Sequence, residues 1–305
     1  MELDFTNLAA LIAAAKEQNC PISELVLAWQ AEQAEQEPDA MYERMRQQYD
    51  VMAQAVQSGS QPGVRSTSGL TGGDGYRMQQ ASHAGGLTGS IFTGALARAL
   101  AVSEWNAAMG RIVASPTAGS CGILPAAVLT MQQEHNCSER DCVMSLFTAA
   151  AVGLVIAHNA TLSGAQGGCQ AECGSASAMA AAALVELGGG TPDMIGHAVA
   201  MALKNTLGLV CDPVAGLVEI PCIKRNAAGV ANSLCAAEMA LAGIESAIPA
   251  DEVILAMKRV GDAMPAALRE TAEGGLAATP TGRRLFEQVF GTQDKCAGCR
   301  NRQNG

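Results

Sequence analysis

The chain has 305 residues and a formal net charge of −10, with half of its residues hydrophobic but only 3% aromatic. A surplus of acids excludes the concentrated Lys and Arg that a nucleic-acid backbone or an anionic membrane surface demands. Ala, Gly and Met supply much of the apolar content, which favours close-packed helices over sheets; the expectation is an all-α, Ala-rich multi-helix fold.

In chain order, residues 1–57 read as an N-terminal helical arm. Leu8, Leu11 and Ile12 fall at helical spacing, and Pro21-Ile-Ser-Glu-Leu restarts a helix with Ser23 as its cap. The opening segment is acidic and lacks the basic stretch of a secretory leader. Residues 58–90 are rich in Gly and Ser and read as a loop, either a flexible linker or an ordered turn bringing backbone NH groups to a ligand. The ordered reading is the stronger for Ser82-His83-Ala84-Gly85-Gly86.

Residues 91–291 read as a helical domain broken by short Gly/Pro/Ser segments, with no period-two alternation. From Cys142 to Gln170 there is no Lys, Arg, Asp or Glu. Its continuous apolar part is shorter than the roughly 20 residues of a membrane span, so a helix buried on all sides is expected. Residues 292–305 form a polar tail carrying Cys296-Ala-Gly-Cys299, a spacing that suits zinc, redox exchange or cluster ligation.

Eleven cysteines in a chain of this length do not read as a disulfide framework; a reducing cytoplasm with buried or metal-binding thiols fits better. Cys20, Cys137, Cys142 and Cys235 read as packing residues. Cys121 follows a Gly/Ser turn and stays ambiguous. Cys169, Cys211 and Cys222 each sit at a helix break, where a metal could meet sulfur. Cys169 and Cys173 are four apart and could share one helix face, which would suit zinc as well. Spacing alone leaves two readings open, a metal or cluster site and buried thiols.

Three segments carry a resemblance: SPTAGSCGILPA at 115–126, NATLSGAQGGCQAECGSASAMAAA at 159–182 and CDPVAGLVEIPCIKRNAA at 211–228. They resemble the signature blocks of the iron–sulfur-dependent L-serine dehydratases, and specifically the α, cluster-binding half. The resemblance implies a [4Fe–4S] cluster on Cys169, Cys211 and Cys222 with one iron open, so that 91–291 would be the catalytic domain. It implies deamination of L-serine to pyruvate and ammonia, the open iron acting as Lewis acid on the hydroxyl. It also implies a separate β subunit and hence a hetero-oligomer. In some single-chain relatives a C-terminal cysteine enters the site, a role open to Cys296 or Cys299.

For the proton at Cα the candidate bases are His83 and His158, unless the β subunit supplies the base. Lys224 and Arg225 are candidate ligands for the substrate carboxylate. Ser115, Thr117 and Ser120 offer hydroxyls and turn NH groups for the same task, although Ser115-Pro116 also reads as an ordinary helix start. Competing readings are the same chemistry on threonine or another β-hydroxy amino acid, a pyridoxal-phosphate enzyme, for which βα alternation is missing, and a non-enzymatic zinc-binding helical interaction module.

Overall fold

The computed structural model describes residues 6–291, and among them every regular element is helical. In order these are α1 Leu8–Gln18, α2 Ile22–Gln33, α3 Pro38–Gly59, α4 Asp74–His83, α5 Ser90–Ala107, α6 Ile123–His135, α7 Glu139–Asn159, α8 Gly164–Gly167, α9 Ser175–Leu187, α10 Pro192–Lys204, α11 Cys222–Leu241, α12 Ala250–Ala263 and α13 Pro280–Phe290. The all-α expectation holds. The CxxC of Cys296 and Cys299 lies outside the described residues.

The fold is built around α9, whose SASAMAAAALV stretch is buried throughout. Six alanines make it both a strong helix former and a thin one. Helices α6, α7, α10 and α11 all pack on it, each able to come close because little side chain stands between the axes. Helix α7 is long and apolar enough by composition to cross a membrane, yet Leu146, Phe147, Val152 and Ile156 are buried in the core it shares with α2 and α9.

Two expectations about the first 90 residues need correction. The first 57, read as a helical arm, are helical within the described residues, and Leu8, Leu11, Ile22, Leu25 and Val26 belong to the main core. Asp251, in the first turn of α12, accepts hydrogen bonds from the Leu8 and Ala9 amides at 2.7 and 3.0 Å, holding the start of α1 from 243 and 242 residues away in sequence. Helix α2 starts at Ile22, so Ser23 lies inside the helix instead of capping it. Secondly, 58–90 is not one loop. Helix α3 runs to Gly59, and Asp74–His83 is helical, its first turn held by the buried Glu104 carboxylate, which accepts from the Asp74 and Gly75 amides at 2.8 and 3.0 Å. A carboxylate on free amides at a helix start satisfies donors that have no partner inside the helix.

The intervening stretch is ordered by a second buried acid. Glu219 accepts from Ser68 Oγ at 2.7 Å and Thr71 Oγ1 at 2.6 Å. This docks the Gly/Ser-rich segment on the residues that lead into Cys222.

A buried cysteine–carboxylate site

Three chain breaks converge beside the start of α9. The first is the approach to Cys169. Gly168, with φ +76, takes a conformation that a side chain would strain, and a Cβ there would stand 2.8 Å from the Leu209 carbonyl oxygen. The chain then enters a π-helical turn, Gln170–Gly174, before α9 begins. Such wide turns displace side chains from the α-helical register and recur at functional sites. Gln170 locks this one: its Nε2 donates to Gly167 O and Met257 O, and its Oε1 accepts from the Gly208 amide at 2.9 Å.

The second break carries Cys211, pinned by its backbone to Leu268 and Glu270 at 2.9 and 2.7 Å. The third is Pro221, after which Cys222 opens α11. The Ile220–Pro221 peptide is cis. Cys169, Cys173, Cys211 and Cys222 are all buried and none is in a disulfide.

Electrostatics show that these groups sit together. Burial pushes the Cys222 thiol up to about 12, and the neighbouring Cys169 adds to it. Burial raises Cys211 further, reinforced by Glu172, Cys169 and Cys222. Cys169 moves the other way: a hydrogen bond from Cys173 and the positive charge of Arg225 favour its thiolate against the cost of burial. Within this pair the negative charge is favoured on Cys169 over Cys173, the donor.

Arg225 lies on the first turns of α11 and is committed internally. Its Nη1 donates to Val210 O and its Nη2 to Asp212 Oδ1, both at 2.8 Å. It therefore fixes the residues on either side of Cys211 while facing Cys169. Lys224, its neighbour, is exposed and pairs with Asp74 at 2.9 Å.

Glu172 is the residue sequence reasoning missed. It sits in the π turn between Cys169 and Cys173, and burial raises its carboxyl above the ordinary range while the Thr117 hydroxyl, donating to it, opposes the shift. Cys211 Sγ donates to Glu172 Oε2 at 3.9 Å. Periodicity offered no signal, because an acid inside a Gly/Cys-rich break reads as loop polarity.

The SPTAGS segment joins the site through Thr117. Thr117, not Ser115, is the cap: it begins the short 3-10 turn Ala118–Ser120 in a capping box with Ser120, after a cis Ser115–Pro116 peptide. Ser115 Oγ is buried without a hydrogen-bond partner. Both candidate histidines are exposed. His83 is exposed at the end of α4, on a cavity of about 730 Å³ lined by Gln57, Ser60, Arg98 and Glu134 but by no cysteine. His158 is exposed in the last turn of α7. Since the thiols are buried, neither histidine packs among them.

The remaining thiols sort by burial. Cys121 packs with Ala55 and Val102, its thiol pushed up to about 12 by burial. Cys142 is buried and directs its thiol at Val128 O. Cys20 and Cys137 are half-buried, whereas Cys235, expected in packing, is exposed.

Among the described residues no three His, Cys, Asp or Glu groups close tightly enough around one point to hold a single metal ion. In a cubane each thiolate takes a different iron, so such a site needs thiols that face a common space instead of a common atom. Free, buried thiols on backbone breaks, one of them already favoured as thiolate, suit that donor chemistry.

Residues 17–277 match the family model described as serine dehydratase alpha chain. A probable L-serine dehydratase alpha chain of Bacillus subtilis is 51% identical over 94% of this chain and 96% of its own length. The L-serine dehydratase alpha chain of Peptoniphilus asaccharolyticus is 43% identical over 90% of this chain and 94% of its own. The L-serine dehydratase of Streptomyces coelicolor is 39% identical over 88% of this chain, which spans 59% of that longer protein. The chain belongs to the serine dehydratase alpha chain family.

Proposed function

We propose that this chain is the α subunit of a cytoplasmic L-serine dehydratase that releases pyruvate and ammonia from L-serine. Cys169, Cys211 and Cys222 would hold a [4Fe–4S] cluster, and a separate β subunit would complete the enzyme. The observation that carries the reading is the meeting of three buried thiols from three distant breaks, with Arg225 bracing two of them. The substrate and the α/β arrangement are supported by the relatives' names, and the missing length by the Streptomyces protein.

When bound, such a cluster supplies a Lewis-acidic iron that polarises the hydroxyl and carboxylate of the substrate. The chain's own contribution is positional. With Cys173, Arg225 favours the thiolate form of Cys169, and it holds the Cys211 segment in place. Gln170 holds the π turn rigid, and burial keeps water from the sulfur atoms. Of the three hydroxyls expected to meet the substrate carboxylate, Thr117 faces Glu172, while those of Ser115 and Ser120 are buried and would have to be uncovered to bind it. His83 and His158 are the less suited bases for being exposed, which makes a base from the β subunit the better reading.

Family membership argues against a non-enzymatic zinc-binding module. The test is anaerobic co-purification with the candidate β subunit, assay of iron and sulfide, and pyruvate release from L-serine and L-threonine. About four irons per α chain are expected, with turnover of L-serine. Turnover by iron-free protein, or zinc in place of iron, would overturn the reading.

A further inference from the structure

We infer that Glu172 receives the α-ammonium group of the substrate. The inference rests on the L-serine reading above and extends it to a residue with no role so far.

Four observations point there. Glu172 is the partly exposed member of an otherwise buried set: Cys169, Cys173, Cys211 and Cys222 are 3%, 3%, 4% and 9% exposed, and Glu172 alone among these five reaches the intermediate class. Its carboxylate is approached from two sides by glycines. A Cβ at Gly164 would stand 2.6 Å from Oε2 and one at Gly119 3.4 Å from Oε1. Only glycine lets these two segments close against the carboxylate, which holds its oxygens in one place beside the thiols.

Its known partners are uncharged. The Thr117 hydroxyl and the Cys211 thiol donate to it, and among the described residues no Lys or Arg forms an ion pair with it. Arg225, the nearby cation, has its terminal nitrogens on Val210 O and Asp212. A second acid, Glu270, adds negative potential at the same place. Arg225 acts on Glu172 only through space, and a largely buried carboxylate with no ion-paired cation of its own is costly unless one arrives with a ligand. The ammonium of a zwitterionic amino acid is such a cation, and it stands one bond from the Cα whose proton must leave.

The π turn makes the placement firm. Glu172 is held between Cys169 and Cys173, so a ligand touching Glu172 lies against the thiol site itself.

The test uses the anaerobically co-purified α/β holoenzyme, with iron and sulfide content measured first. L-serine and 3-hydroxypropanoate, which lacks the amine, are titrated by calorimetry into wild type, Glu172→Gln and Glu172→Asp. With iron retained, Glu172→Gln should weaken L-serine binding about 10- to 100-fold, the range of one charge-assisted hydrogen bond, and 3-hydroxypropanoate by less than about 3-fold. Glu172→Asp keeps the charge and should lose less than the amide variant. Equal loss of both ligands, or unchanged L-serine binding, would overturn the inference. Loss of iron in both variants would overturn it too, because it would make Glu172 a support of the thiol site. Failure of the wild type to bind L-serine would instead sink the functional reading on which the inference stands.

Discussion

Arg225 and Asp212 meet at 2.8 Å beside Cys211, with side chains 16% and 4% exposed. Asp212 uses its other oxygen to accept the Leu276 amide at 2.8 Å. One ion pair thereby joins the start of α11, the Cys211 break and the turn that precedes α13.

Removing the guanidinium leaves the buried Asp212 charge uncompensated. Arg225→Met should cost about 3–5 kcal/mol of stability. It should also reduce iron retention, because Cys169 loses the charge that favours its thiolate. The double variant Arg225→Met with Asp212→Asn should recover part of the stability and none of the iron. Denaturant unfolding and iron assay of the four corners of this cycle decide it; equal stability of wild type and Arg225→Met would show that the pair contributes nothing.

Glu219 carries the docking of the Gly/Ser-rich segment. Glu219→Ala removes the acceptor of both Ser68 and Thr71 and should cost about 2–3 kcal/mol. Arg65 stands exposed just before the docked turn. Limited trypsin digestion should therefore cut after Arg65 faster in the variant, with cleavage elsewhere little changed. Equal rates at Arg65 would mean that this segment is held by other contacts.

The helices were legible because alanine content and the missing two-residue alternation speak for themselves; Cys169, Cys211 and Cys222 drew notice because each stands on a Pro or Gly break. What escaped was carried by single long-range partners. Asp74–His83 contains two glycine or serine residues and no apolar stripe, so nothing in its own sequence announces a helix; Glu104, 30 residues away, stabilises its first turn. The tie of α1 to the start of α12 is likewise carried by one distant acid, Asp251, which accepts from the Leu8 amide. Gly59 reads as a linker glycine, yet a Cβ there would stand 1.9 Å from the Ala101 carbonyl oxygen, so it is a helix–helix contact. Glu172 could have been suspected only from its place between two cysteines.

Glu186 gives the fold a pH signature distinct from the site. It is enclosed near the starts of α2 and the end of α9, and burial raises its carboxyl above 4.5 despite hydrogen bonds from Ser23 and Thr148. The folded state therefore holds this proton more tightly than the unfolded chain. Its contribution to stability falls as pH rises from the unfolded value through the raised folded one, and is flat above that. Glu186→Gln cannot ionise and keeps an acceptor for Thr148. The stability difference between variant and wild type should thus grow in the variant's favour as pH rises through that window. Urea midpoints measured from about pH 4 to about pH 8 check this; a constant difference would show that Glu186 titrates as an ordinary exposed acid.

The cysteines separate into three classes that substitution can tell apart. Cys169→Ser, Cys211→Ser and Cys222→Ser should each lose most of the iron from anaerobically purified α/β enzyme, since an alcohol is a poor substitute for a thiolate ligand. Cys235→Ser, at an exposed position on α11, should keep both iron and activity. Cys173 is the informative case. It donates to Cys169 and also lines a cavity of about 500 Å³ shared with Ser177, Asn205, Arg225 and Asn232. A serine hydroxyl keeps that donation, so Cys173→Ser should retain iron, whereas Cys173→Val removes the donor and should bind iron more weakly. Iron loss from Cys173→Ser equal to that of Cys169→Ser would instead make Cys173 a ligand and change the assignment of the three.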